Sequence, residues 1–353
     1  MSPFARGGAL ALVAAVAFGA TIPLVQRFGV HVGPFATAAL LYAGAALASW
    51  VPLGGATGAR VRGEHAGRIV LVALAGAVVA PACLAWGVQR TSAVSASLLL
   101  NMEPVFTVLV ARAAFHEPIG RRVLAAMAAI GAGGAILVLS SRATGMTVSL
   151  LGALAVTAAT LAWAIDNALT RPLAELDPAR VVLAKAGLGA LLASALALVL
   201  GESLPAPGAA VALLLCGATG YGASLRFYLA AQRTLGAART ASVFAAAPFV
   251  GALVAVAMGD RPPQIASAVA ATLCAIGVAL HLTEHHAHRH AHVATVHEHA
   301  HRHDDLHHDH VHEPPFAGEH SHPHEHAPVT HSHDHAPDVH HGHDHDDTAE
   351  RHS

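Results

Sequence analysis

Four side chains that can carry charge stand inside long apolar runs, and each needs a reason to be there. Glu103 lies near the middle of one run, ten residues after Ala93 and twelve before Phe115. A charge at mid-bilayer costs about 2.5–3.5 kcal/mol on insertion scales. Pro104 follows Glu103, and a proline removes a backbone donor, leaving the carbonyl one turn earlier without its helical partner. A bent helix with a carboxyl and a loose carbonyl can bind a cation or carry a proton. The competing reading is a neutral Glu hydrogen-bonded to the next helix. Asp166 and Asn167 follow Trp163 on another run, with Arg171 five residues after Asp166. They read either as a polar cap paired to Arg171 or as a gate at the cytoplasmic mouth. Lys185 either snorkels to the interface on its long stem or serves as counter-ion to Glu103 or Asp166. Arg226, between Tyr221 and Tyr228, has the same two readings, and Asn101 offers one more polar contact.

The elements that must position these groups are helices long enough to cross lipid. Of the 353 residues, 54% are hydrophobic and 12% charged, and the two kinds are segregated. Residues 1–283 carry 17 basic against 8 acidic residues, a net of +9. Residues 284–353 carry 3 against 14, a net of −11 with His neutral. About 20 apolar residues span a hydrocarbon core of about 30 Å. Ten segments qualify: 8–26, 33–53, 68–88, 93–115, 121–140, 148–170, 179–200, 207–230, 237–258 and 262–282. Their Leu, Ala and Val show no polar stripe, as expected of helices surrounded by lipid or by one another. The first run also has the look of a signal peptide, with Arg6 before it and Ala17-Phe18-Gly19-Ala20 within it. The apolar run continues through Leu24, which favours a retained span. Cys83, Cys216 and Cys274 stand singly in apolar runs and read as small core residues.

The chain repeats itself. Asn101-Met102-Glu103-Pro104-Val105-Phe106 through His116-Glu117-Pro118 returns as Ala246-Ala247-Pro248-Phe249-Val250 through Asp260-Arg261-Pro262, and one offset relates Pro104 to Pro248 and Pro118 to Pro262. With that offset lengthened by one residue, Phe18 stands opposite Trp163. Ten arginines between Arg6 and Arg239 fall on the side of the N-terminus; Arg27, Arg90, Arg142 and Arg261 fall on the other. The excess places both ends in the cytoplasm. Five spans per half is odd, so the second half (143–283) must run upside down relative to the first (1–142). Such an inverted repeat suits alternating access around a central site. The expected fold is therefore an all-α membrane protein of ten helices in two inverted five-helix repeats.

Residues 284–353 form a separate low-complexity tail. Of 29 histidines, 26 lie at or after His281. They alternate with other residues, as at His297, His299, His301 and His303, at His331, His333 and His335, and at His343 and His345. Neutral imidazole is a good ligand for Zn²⁺, Ni²⁺ and Co²⁺, and nearby carboxylates can complete a shell. The tail has too few aliphatic residues to bury a core and is expected to be disordered without metal.

Several stretches together resemble the drug/metabolite transporter superfamily, EamA type. Gln89-Arg90-Thr91-Ser92-Ala93-Val94 leads into Met102-Glu103-Pro104-Val105-Phe106, and a glycine-rich helix closes the half at Gly131-Ala132-Gly133-Gly134. In the second half Gln232-Arg233-Thr234-Leu235 leads into Pro248, and Ala275-Ile276-Gly277-Val278 closes it. The resemblance covers about residues 8–282 and implies ten helices that move a small metabolite. The second copy departs from the pattern: Ala247 stands where a Glu often precedes the proline, and Arg261 stands where Glu117 sits. The two halves are therefore expected to contribute unequally to a site.

Two functions remain in competition. One is a membrane transporter of amino acids, their derivatives or other small organic solutes, proton-coupled or facilitated, needing no cofactor. The other is a divalent-metal exporter fed by the tail; its weakness is that Glu103 and Asp166 fall at different depths and no His joins them in a span. A metal sensor or storage scaffold ranks third. No nucleophile–base constellation or phosphate loop marks an enzyme, and the arginines between apolar runs do not form a nucleic-acid face. The alanine- and glycine-rich composition fits a bacterial inner membrane. Oligomeric state is not legible.

Overall fold

The computed structural model describes residues 3–50, 61–115, 119–143, 147–170, 173, 176–203, 205–235, 237–260 and 264–282, together with four stretches of tail backbone. Arg171, the His116–Pro118 turn, its counterpart at Arg261-Pro262, and the tail residues His303, His335, His343 and His345 lie outside the described residues.

Among the described residues, fourteen α-helical segments build the bundle. In the first half these are α1 (Pro3–Phe28), α2 (Pro34–Trp50), α3 (Ala66–Ala73), α4 (Ala80–Val88), α5 (Ala93–Leu99), α6 (Met102–Phe115) and α7 (Arg121–Ala143). In the second they are α8 (Thr147–Thr170), α9 (Pro178–Val199), α10 (Pro207–Cys216), α11 (Ser224–Leu235), α12 (Ala237–Phe244), α13 (Ala247–Ala257) and α14 (Gln264–Leu282). Among the described residues, eight continuous stretches are long and apolar enough to cross a membrane; Pro34–Trp50 and Ile265–His281 are apolar but shorter. Val199 and Ile265, each 83% exposed, belong to a belt of bare aliphatic side chains that only lipid would tolerate over such an area.

Each half departs from plain α-helix at the same two places. Helices α3 and α4 are joined by a π-helical turn, Leu74–Val79, and α10 and α11 by another, Gly217–Ala223. Helices α5 and α6 are parted at Leu100-Asn101, and α12 and α13 at Ala245-Ala246. The proline that follows each break, Pro104 or Pro248, cannot donate to the ladder. The carbonyl freed by Pro104 is not loose, as the sequence implied. Leu100 O accepts from Glu103 N at 3.1 Å, and Asn101 N and Asn101 Nδ2 both donate to Leu98 O, at 3.1 and 2.9 Å. The chain closes the gap with tighter turns instead of leaving an acceptor open.

The halves run in opposite senses. The end of α13 reaches the start of α5, where Asp260 accepts from Val94 N at 2.9 Å. The end of span nine therefore lies beside the start of span four, so spans four and nine end at opposite faces. Phe18 and Trp163 meet edge to face with ring centroids 6.3 Å apart. The largest core cluster draws Ile22, Leu41, Leu84 and Leu98 from the first half, and Trp163, Leu213 and Tyr221 from the second. Glycines bring helices close: a Cβ on Gly44 would run into Leu214 O, and one on Gly217 into Leu41 O.

The tail differs from the expectation of disorder. Its described backbone forms four strands: β1 (Ala287–Ala291), β2 (Thr295–His301), β3 (His320–His326) and β4 (Thr330–Asp334). They pair antiparallel, β1 with β4 and β2 with β3. The alternation of His with a second residue has the period of a strand, and Thr295, Val296 and Thr330 are good strand formers.

Candidate functional site

The residues singled out by charge gather around the break in span four. Glu103 starts α6 just past the break and is half-buried. Asn167 Nδ2, on α8 of the other half, donates to Glu103 Oε1 at 2.8 Å. Its chain neighbour Asp166, 3% exposed, forms an ion pair with Lys185 Nζ on α9 and receives a 3.4 Å contact from Thr170 Oγ1. Of the two readings of Lys185, the structure shows the counter-ion to Asp166, because α8 and α9 both pack against α3 and the π turn that follows it. One expectation is overturned. Glu103 and Asp166 do not lie at separate depths; Asn167 links them into one cluster that crosses the two halves.

The π-helical turn in span three supplies the wall of this cluster. A π turn widens the backbone and displaces carbonyls from the regular ladder. Gly76 O accepts from Trp163 Nε1 at 3.1 Å and from Tyr42 Oη at 2.5 Å. A Cβ on Gly76 would strike the Asp166 carboxyl, so only glycine leaves room for the ion pair. Behind it the aromatic rings form a continuous group. Phe18 lies 5.7 Å from both Tyr221 and Phe244, Tyr42 lies 5.5 Å from Tyr221, and Tyr228 lies 5.0 Å from Phe244. A carboxyl, an amide, an ammonium–carboxylate pair and a bank of rings together can meet a solute with a charged head and an apolar body.

The remaining sequence candidates scatter. Asn101 is buried and spends its amide on Leu98 O, holding the break closed. Arg226 Nη1 donates to Ala48 O at 2.6 Å, tying α11 to the end of α2 away from the cluster. Pro248 opens α13, matching Pro104 in place but with Ala247 where Glu103 stands. Gly76, Tyr42 and Thr170 were not legible as site residues. The signal for Gly76 was one glycine among many, and nothing in the sequence marks a π turn.

A cavity of about 550 Å³ opens between α3, α6 and α8, lined by Glu64, Arg68, Val110, Ala114, Ile165 and Leu169 among others. Val110 and Ala114 follow Glu103 by seven and eleven residues, which puts all three on one face of α6. Val110 is then about 10 Å along the helix from Glu103.

Sequence comparison decides the family. The EamA-like transporter family matches residues 5–140 and again residues 150–283. The chain belongs to the EamA-like transporter family. It is a multi-pass membrane protein whose two family repeats coincide with the two halves of the bundle. No curated protein matches it. One solved structure, described as the crystal structure of a protein, is similar in fold, with a TM-score of 0.56 and 19% sequence identity. The match covers 77% of this chain and 95% of that one. It supports the bundle architecture, while the site of this EamA-like protein is argued from its own residues.

Proposed function

We infer that the protein carries a small organic solute across the cytoplasmic membrane by alternating access, with ten spans and both ends in the cytoplasm. The observation that carries this reading is the Glu103–Asn167 hydrogen bond. It joins the two inverted halves at a broken helix, next to the Asp166–Lys185 pair and above a cavity that opens on the arginine-rich side. Discontinuous helices at a repeat interface are where transporters of this architecture place their substrate. The groups fit an amino acid or a derivative of one: Glu103 faces an ammonium, and the rings around Trp163 an apolar side chain. Glu103 is also the group that would take up and release a proton during the cycle.

Purified protein in liposomes, offered each of the twenty common amino acids in radiolabelled form, tests this. Uptake of a subset, with its pH dependence lost in Glu103→Gln, supports the reading; no uptake of any excludes amino acids as the solute class.

The tail is a metal-binding accessory in this account. Its backbone register sets His297 opposite His324, His299 opposite His322 and His301 opposite His320, and in the other pair His288 opposite His333 and His290 opposite His331. Opposed positions in an antiparallel pair lie about 5 Å apart at Cβ. A run of histidines is a source of imidazole ligands for Zn²⁺, Ni²⁺ or Co²⁺. Metal export through the spans is the less favoured function. Among the described residues no three His, Cys, Asp or Glu side chains converge on a common point.

A further inference from the structure

Two carboxylates of the second half end on helix starts of the first half, both at the face opposite the cytoplasmic cavity. Glu202, in the turn after α9, accepts from Phe35 N at 3.2 Å and from Ala36 N at 2.7 Å at the start of α2. Asp260, in the turn after α13, accepts from Val94 N at 2.9 Å at the start of α5. Ser203 Oγ adds a donation to His31 O at 3.1 Å beside the first contact. Bonds from backbone N–H groups to an ionised carboxylate at a helix start are among the stronger ones a protein makes.

The contacts follow the shape of the bundle. At the outer face α5 packs along α13, and Asp260 closes that seam at its end. Toward the cytoplasm the continuations α6 and α12 share no extensive contact among the described residues, and α6 packs on α8 instead. The repeat-related pair of broken helices is thus shut outside and splayed inside.

Comparing the halves shows that the Glu202 contact is more than an ordinary cap. Helices α2 and α9 both begin at a proline, Pro34 and Pro178, placed equivalently in the two repeats. Before Pro178 stands Asp177, which caps its own helix through Ala179 N at 3.0 Å. Before Pro34 stands Gly33, which has no side chain to do so. A Cβ on Gly33 would run into the Glu202 carboxyl, so the glycine both omits a cap in cis and leaves the space that the other half fills.

We propose that Glu202 and Asp260 form a clasp that holds the outer face shut in this state, and that both contacts must release before the cavity can open outward. The clasp rests on the alternating-access reading of the preceding section. It assigns a gating role to two residues outside the substrate cluster.

Ser97 provides a reporter. It is fully buried on the α5–α13 seam one turn below Val94, against the backbone of Gly251, and its hydroxyl has no hydrogen-bond partner among the described residues. Ser97→Cys would be introduced after replacing Cys83, Cys216 and Cys274, and its reaction with a membrane-impermeant maleimide followed on intact cells. The clasped protein should react slowly. Glu202→Ala, and Glu202→Ala with Asp260→Ala, should react at least tenfold faster. The second variant pair separates gating from loss of a cap: Glu202→Ala with Gly33→Asp restores a cap in cis but not the bond between halves. Its unfolding temperature should return to the parental value while labelling stays fast. Labelling at the parental rate in the Glu202→Ala variants, or labelling that falls back along with restored stability, overturns the clasp. The readout needs no substrate, so it stands or falls apart from the flux assay.

Discussion

Replacing Lys185 by Met tests whether the Asp166–Lys185 pair is a dry, structural one. Asp166 is 3% exposed, and the side chain of Lys185 is 17% exposed. Without the ammonium, the carboxylate keeps, among the described residues, only the 3.4 Å contact from Thr170 Oγ1, which lies at the long limit for a hydrogen bond. Removing one member of a buried pair costs about 3–5 kcal/mol, because the survivor is left charged and unsatisfied. A loss of about 3 kcal/mol corresponds to more than a hundredfold in the folding equilibrium. Lys185→Met with Asp166→Leu removes both charges and should recover most of that loss, since apolar replacement of a whole buried pair is often near neutral. The assay is reversible unfolding in mixed micelles, followed by tryptophan fluorescence, with the two single variants and the double variant closing a cycle. A loss below about 1 kcal/mol for Lys185→Met would be the value of an exposed pair and would refute the claim that α8 and α9 exclude water here.

Four other outcomes follow from the same geometry. Gly76→Ala drives a Cβ into the Asp166 carboxyl; it should cost about 1–3 kcal/mol, as overpacking does, and abolish solute flux, measured in liposomes. Trp163→Phe removes one of two donors to Gly76 O, so stability should fall by about 1 kcal/mol while the fold is kept, as read by circular dichroism and melting. Glu103→Gln keeps a hydrogen-bond acceptor for Asn167 but cannot carry a proton; flux should lose its dependence on pH, and flux that keeps the wild-type pH profile rules out coupling through this carboxyl. Deleting residues 284–353 should leave solute flux within about twofold of the parent and remove Ni²⁺ binding measured by calorimetry; that the tail supplies imidazole ligands is the premise under test.

The bundle was legible because lipid imposes simple demands. Runs of about 20 apolar residues, arginines on alternate turns and a proline motif repeated at a fixed offset gave the inverted halves before any coordinate. Glu103 was legible for the same reason, as a charge in an apolar run next to a proline. Its partner was not. Asn167 is 64 residues away on the other half, and no pattern within one helix reports which face of another it meets. The pairing of Asp166 with Lys185 was legible only as one of several alternatives, since the two are brought together by α8 and α9 packing on the same neighbours, α3 and the π turn. The freed carbonyl of Leu100 was misread because the chain around a break rewinds into tighter turns that satisfy it. The π turns at Leu74–Val79 and Gly217–Ala223 leave no trace in composition, although they decide where Gly76 O points. Glu202 and Asp260 looked like ordinary turn residues, and only the fold shows that each reaches across about 166 positions to cap the opposite half.

The inverted repeat is the claim on which everything else depends, and topology labelling tests it most directly. Single cysteines at Arg121, just after span four, and at Met258, at the end of span nine, would be probed with an impermeant maleimide before and after the cells are opened. Both positions are exposed. The account predicts that Met258→Cys reacts on intact cells and Arg121→Cys only after permeabilisation. Reaction of both from the same side of the membrane would contradict it.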